Sequence, residues 1–280
     1  MYSLRYIPNG GTEIVLTRDY GYLVNTVDGA TGHAVTVTTA QGYGQIGDTV
    51  QGMSTAGQLL TITGRIPRRN TSAKRALLRA FLPLSSGRLI WEDKYYIDVV
   101  VRDSPAVSQE KHSSFMLALY APYPYWRRLT ESYYELGGLT GEFRFPLNYA
   151  TPHRFGTSTT ETQFNAINNG DSAAQFALSI RAGDSNLVNF AITNVNTLKS
   201  LKFTGSVPAD STLEMFRESG QLYLRQDGVD AFDLLDDTSD LFELDAGDNV
   251  LLFTAESGAA TAKVIVTFHE AYVGVLANGV

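Results

Sequence analysis

Between Leu60 and Arg128 the chain sets several period-two apolar runs around a single helical pattern, an order that points to a β domain carrying one helix. Leu60, Ile62, Gly64 and Ile66 share one side of a strand pattern. A basic linker follows. Ala73, Leu77, Ala80 and Phe81 then recur at i, i+4, i+7 and i+8, the apolar stripe of a short amphipathic helix predicted over 73–82. Asn70, Thr71 or Ser72 can cap it, because a short polar side chain accepts from the free N–H groups of a first turn. Pro83 and Ser85-Ser86-Gly87 stop it. Lys74, Arg75 and Arg79 are left for its outer side.

Strand patterns continue on both sides of this block. His33 to Thr39 alternates Val35 and Val37 with Thr36 and Thr38, the pattern of a half-buried strand. Tyr95, Ile97, Val99 and Val101 alternate with Tyr96, Asp98, Val100 and Arg102, and Phe115, Leu117 and Leu119 share a face. Later, Phe176, Leu178 and Ile180 form one face, and Val264, Val266 and Phe268 another. Leu213–Phe216 and Leu222–Leu224 flank the hairpin turn Glu218-Ser219-Gly220. Many short strands separated by turn signals predict an all-β chain built from sandwiches.

A length of 280 residues suggests two domains. The expected joint is Pro122, Tyr123, Pro124, Tyr125 and Trp126, a stiff extended segment because each proline fixes φ and restricts its predecessor. That gives an N-terminal domain over 1–130 and a C-terminal domain over 131–280, with the glycine-bearing stretch 129–160 as an excursion or as first strands of the second. Charge divides the same way. Residues 1–130 carry 14 Lys and Arg against 9 Asp and Glu, a net of +5, while 131–280 carry 8 against 20, a net of −12. This asymmetry fits either two separately solvated surfaces or a basic half that meets a protein partner.

Composition excludes several chemistries. Without cysteine there are no disulfides, thiol nucleophiles or thiolate metal sites. The opening MYSLRYIPNGG has no apolar stretch of signal-peptide length, so a chain that is not secreted is expected. No apolar run reaches the roughly 18 residues of a membrane span, and no membrane partner is expected.

Specific motifs fail on context. Gly42-Tyr43-Gly44-Gln45-Ile46-Gly47 matches a dinucleotide fingerprint, but Asp48-Thr49-Val50-Gln51-Gly52 cannot open the helix that would hold a pyrophosphate. His269-Glu270 lacks the second histidine a helical turn later, since position 273 is Val. The acidic run Asp227, Asp230, Asp233, Asp236, Asp237 and Asp240 lacks calcium-loop spacing and is interrupted by Phe232, Leu234 and Leu235, which favours a solvated loop. There is no G-x-S-x-G elbow, and any pair of carboxylates suited to glycoside hydrolysis is a matter of three-dimensional spacing. Arg65, Arg68, Arg69, Lys74, Arg75, Arg79 and Arg88 form a basic cluster with no aromatic residue between Arg65 and Arg79. A protein contact suits it better than specific nucleic-acid binding. No catalytic, metal or cofactor site is expected.

The strand–helix–Gly–strand block 60–102 and the Tyr123-Pro124-Tyr125-Trp126 ending resemble the distal tail proteins of long-tailed bacteriophages. So do Phe143-Arg-Phe-Pro-Leu147, Asn169-Gly170, Leu244–Phe253 and the closing strand Val264–Tyr272. The resemblance implies an N-terminal β domain whose six copies close into a ring and a C-terminal galectin-like β-sandwich. It implies a non-enzymatic virion component at the tail tip, assembled in the host cytoplasm, with DNA passing through the ring. The implied partners are the tail-tube protein, a tail-associated fibre or lysin protein, and receptor-binding or baseplate proteins. A heterologous ring needs two different complementary patches per subunit. Arg68, Arg69, Lys74, Arg75 and Arg79 are the expected residues of one. The alternative is a carbohydrate-binding adhesion module. Against it, both tryptophans, Trp91 and Trp126, fall in the first half, whereas galectin chemistry needs a tryptophan platform in the second.

Overall fold

The computed structural model describes residues 3–67, 70–136, 139–141, 156–158, 163–218 and 220–276. The chain forms two compact units, Met1–Thr130 with Ala271–Val280, and Glu131–Glu270. The stretch after 270 therefore belongs with the first unit, not with the second as the sequence suggested. The strand Ala271–Tyr272 pairs antiparallel with Trp126–Arg128, and the Val275 N–H donates to the Ala30 carbonyl at 3.2 Å. A two-residue strand has no period to read.

The first unit contains β1 (Leu4–Pro8), β2 (Ile14–Leu16), β3 (Leu23–Asp28), β4 (Val35–Ala40), β5 (Thr49–Thr55) and β6 (Gln58–Ile66). Next come α1 (Thr71–Ala80), β7 (Ser86–Trp91), β8 (Tyr95–Val107), β9 (Ser113–Ala121) and β10 (Trp126–Arg128). The main sheet runs in the order β2-β1-β7-β8-β9-β6-β3, with antiparallel neighbours throughout. Inward residues from both ends of this path, among them Leu4, Leu16 and Ile62, join one cluster with Leu117, Leu119 and Trp126, so the sheet curls around a single core. Gly64 has its φ in the ordinary range but sits where a Cβ would lie 2.4 Å from Phe115 and 2.5 Å from the Leu23 carbonyl, which explains a glycine inside the apolar face of β6.

The helix covers part of that core. Asn70 caps it, accepting from the Ala73 N–H at 3.1 Å, and Ala73, Leu77 and Ala80 are buried. Phe81 stacks on Tyr6 with ring centroids 4.2 Å apart. The Tyr22 hydroxyl donates to the Ala73 carbonyl at 2.8 Å, and its burial pushes the phenol up to about 12.

The second unit contains β11 (Ser132–Leu136), β12 (Leu139–Gly141), β13 (Gly156–Ser158), β14 (Gln163–Asn168), β15 (Phe176–Arg181) and β16 (Leu187–Asn194). It continues with β17 (Lys199–Val207), β18 (Thr212–Glu218), β19 (Gln221–Gln226), β20 (Val229–Asp230), β21 (Gly247–Ser257) and β22 (Lys263–Phe268). One sheet is ordered β11-β22-β15-β18-β19-β20 and another β14-β21-β16-β17, while β12 pairs with β13. Leu178, Ile180, Val264 and Val266 of the first sheet are buried, as are Phe190, Ile192, Leu201 and Phe253 of the second. This is a β-sandwich. Phe143–Leu147, singled out in the sequence, and Ser219 of the β18–β19 turn lie outside the described residues.

Among the described residues, three asparagines of the second unit are buried. The Asn194 amide donates to Asn249 Oδ1 at 3.0 Å, and the Asn249 amide donates to the Asp245 and Gly247 carbonyls at 2.8 and 3.1 Å. The Asn168 amide donates to the Ser172 and Leu244 carbonyls, both at 2.9 Å. Here side-chain amides bond backbone carbonyls inside the unit, and the Leu244 carbonyl accepts from the Ala174 N–H at 2.8 Å as well. Among the described residues the chain is all-β but for α1 and short 3-10 turns.

Candidate functional site

The residues that sequence reasoning assigned to a partner surface are spread unevenly. Arg75 and Arg79 are exposed on the outer side of α1. Lys74 is half-buried, its ammonium 3.4 Å from the Ser108 carbonyl and 3.5 Å from that of Glu110. Arg68 and Arg69 lie outside the described residues. Arg88, counted in the same basic cluster, is engaged elsewhere. It pairs with Asp98 at 2.9 Å and its guanidinium lies 4.0 Å over the Tyr96 ring, while Arg127 bonds the other Asp98 oxygen from across Tyr96. The exposed part of the cluster that the structure describes is thus Arg65 and the face of α1 with Arg75 and Arg79.

That face also carries apolar side chains. Leu78 is 42% exposed and Leu82 55%, so Arg75, Leu78, Arg79 and Leu82 line one side at i, i+3, i+4 and i+7. Leu84 follows, almost wholly exposed and held at a positive φ of 64°.

The proposed joint is ordered by ring contacts. Pro124 is buried and Trp126 is fully so, its indole N–H donating to the Ala30 carbonyl at 3.2 Å. Tyr123 meets Tyr125 edge-on at 5.7 Å, and Tyr125 meets His33 at 5.1 Å. Pro122 is exposed. The segment is a packed part of the first unit.

The surface that sequence reasoning missed is the β4–β5 hairpin. Its alternation predicted a half-buried strand, yet every residue of β4 and β5 except Ala40 is exposed. The two strands form a sheet of their own. Val35 is opposite Thr55 and Val37 opposite Met53. The register then shifts so that Thr39 faces Val50. Since directly opposed residues share a face, the bulge brings Val50 to the side of Val35, Val37 and Met53. The other side carries Thr36, Thr38, Thr49 and Ser54. Gly42–Gly47, the false dinucleotide motif, is the hairpin's tip, with Gly44 and Gly47 at positive φ.

In the second unit a shallow, open depression of about 380 Å³ lies on the four-stranded sheet, lined by Asn189, Lys202, Thr204, Asp236, Thr254 and Glu256 among others. Its polar groups largely bond to one another: Asn189 to Glu256 at 2.6 Å and Thr204 to Asp236 at 2.8 Å. Phe190 and Phe203, which also line it, are only 3% and 2% exposed, so no ring stands free there for a sugar to stack on. The acidic run holds backbone N–H groups at separate places. Asp227 accepts from the Thr212 N–H at 2.9 Å and Asp240 from the Ser200 N–H at 3.3 Å.

Asp236 gives a pH prediction. The Thr238 hydroxyl at 2.6 Å, the Thr238 N–H at 2.8 Å and the Thr204 hydroxyl hold its carboxyl at about 2, below the ordinary 3.8. The stabilisation is complete above the unfolded value and is lost as pH falls through about 2. An NMR titration is expected to place the Asp236 midpoint near 2, and Thr238→Val is expected to move it part of the way back to 3.8. A wild-type midpoint at 3.8 would contradict the arrangement.

No protein-family model matches the sequence, and no curated protein is similar to it. Solved structures are. The structure of the SPP1 Dit protein, described as a paradigm of the hub adsorption apparatus in phages infecting Gram-positive bacteria, aligns with a TM-score of 0.67 at 12% identity. The alignment covers 95% of this chain and 98% of that one. A chain of the phage P2 baseplate in its activated conformation aligns with a TM-score of 0.48 at 9% identity, over 95% and 97% of the two chains. The chain has the fold of the SPP1 Dit protein along nearly its whole length.

Proposed function

We propose that this chain is a structural, non-enzymatic subunit of a phage tail tip. Six copies close into a ring that joins the tail tube to the host-adsorption apparatus and lets DNA pass through its centre. The observation that carries this reading is the match to SPP1 Dit over nearly all of both chains, since it includes both units in one order. The partners follow from the place: the tail-tube protein on one side, and a fibre or lysin protein with receptor-binding or baseplate proteins on the other. Arg68, Arg69, Lys74, Arg75 and Arg79 belong to a contact between protein subunits. Pro122–Trp126 anchors the last stretch of the ring unit, which the chain leaves after Thr130.

Light scattering on the purified chain over a concentration series is expected to give a discrete species of about 184 kDa, six times the 30.6 kDa chain, as closed assemblies do. A strict monomer at every concentration would count against the ring of one chain alone.

A further inference from the structure

Resting on the ring reading, we propose that the β4–β5 hairpin is an arm that lays its apolar face on the outer face of α1 in a second copy of this chain. A two-stranded hairpin is marginal in water by itself and needs a third strand or a packed face. Here the face exists and is uncovered. Val35, Val37, Val50 and Met53 are 55%, 49%, 54% and 73% exposed, and the register shift has gathered them on one side. The threonine and serine hydroxyls of the opposite side suit solvent.

The receiving surface is of the same kind and is also uncovered. Leu78, Leu82 and Leu84 stand out from α1 and the turn after it, bordered by Arg75 and Arg79. The charges are complementary. Asp48 is the one charged residue between His33 and Gln58, whereas 71–82 holds Lys74, Arg75 and Arg79 and no acidic residue. Two different patches on one subunit, each fitted to the other, are what a head-to-tail contact requires, and repetition of that contact can close a ring. The occupant is therefore a copy of this chain and not an unrelated protein.

The natural absence of cysteine makes the test clean. Met53→Cys and Leu82→Cys are made as separate single variants, one carrying a size tag, co-expressed, and treated with a short bis-maleimide. Because each chain holds one thiol, a mixed dimer joins two copies. The expected result is a strong mixed dimer with little linkage of either variant to itself. A hexameric native mass without the mixed dimer would overturn the arm while leaving the ring in place. A monomeric mass without it would overturn the arm and count against a ring formed by this chain alone. As a second measurement, Val37→Asp with Val50→Asp, and separately Arg75→Glu with Arg79→Glu, are expected to shift the assembly to monomer. The unfolding midpoint read by Trp91 and Trp126 fluorescence should stay near wild type. Unchanged assembly in the valine pair would overturn the proposal.

Discussion

Trp126→Ala is expected to destabilise the first unit by about 3–5 kcal/mol, the range for losing a large buried aromatic side chain. Trp126 is fully buried and packs edge-on against Trp91 at 5.7 Å. Its N–H satisfies the Ala30 carbonyl, and its strand pairs with Tyr272. Truncation thus opens a cavity, removes one of the two donors to the Ala30 carbonyl and loosens the segment that returns from the second unit. Urea unfolding followed by Trp91 fluorescence reads the effect, because both tryptophans of the chain belong to this unit. A loss below about 1 kcal/mol would mean that the core closes over the gap, contrary to close packing.

The second large effect is expected at Asn249. It is 1% exposed and bonds the Asp245 and Gly247 carbonyls while accepting from Asn194. Asn249→Ala leaves the buried Asn194 amide without its acceptor and removes a donor from the carbonyls of Asp245 and Gly247, both exposed residues that water can reach. An unpaired buried group costs about 1–3 kcal/mol, so a loss on the order of 2 kcal/mol is expected. Tryptophan fluorescence is blind to this unit, so the reading is hydrogen exchange of amides in β16 and β21. Unchanged protection there would show that the amide is dispensable.

Much of the architecture was legible in the sequence because it rests on local period. The stripe Ala73, Leu77, Ala80 predicted the helix and its buried face, and the cap is Asn70, one of the three candidates Asn70, Thr71 and Ser72. The alternation from Tyr95 predicted β8, though Tyr96 on the supposed outer side is also buried, under Arg88 and Arg127. What period cannot show is what covers a face. Val35 and Val37 read as half-buried because alternation describes two unlike sides, and in the folded unit neither side is covered. Val50 stood out of phase with Met53 in the sequence. Only the register shift against β4 unites them. The buried asparagines 168, 194 and 249 carry no sequence signal, because their partners are backbone carbonyls or an amide far along the chain. The ring contact proposed at Arg75 and Arg79 drew on charge, and the leucines beside them, Leu78 and Leu82, gained meaning once the inner stripe was known to face the core.

The account turns on six copies forming an open ring. Electron microscopy of the purified protein tests that most directly, through class averages viewed down the particle axis. The account predicts six-fold rings with an axial hole wide enough for duplex DNA. Particles with another symmetry, or rings with a filled centre, would contradict it.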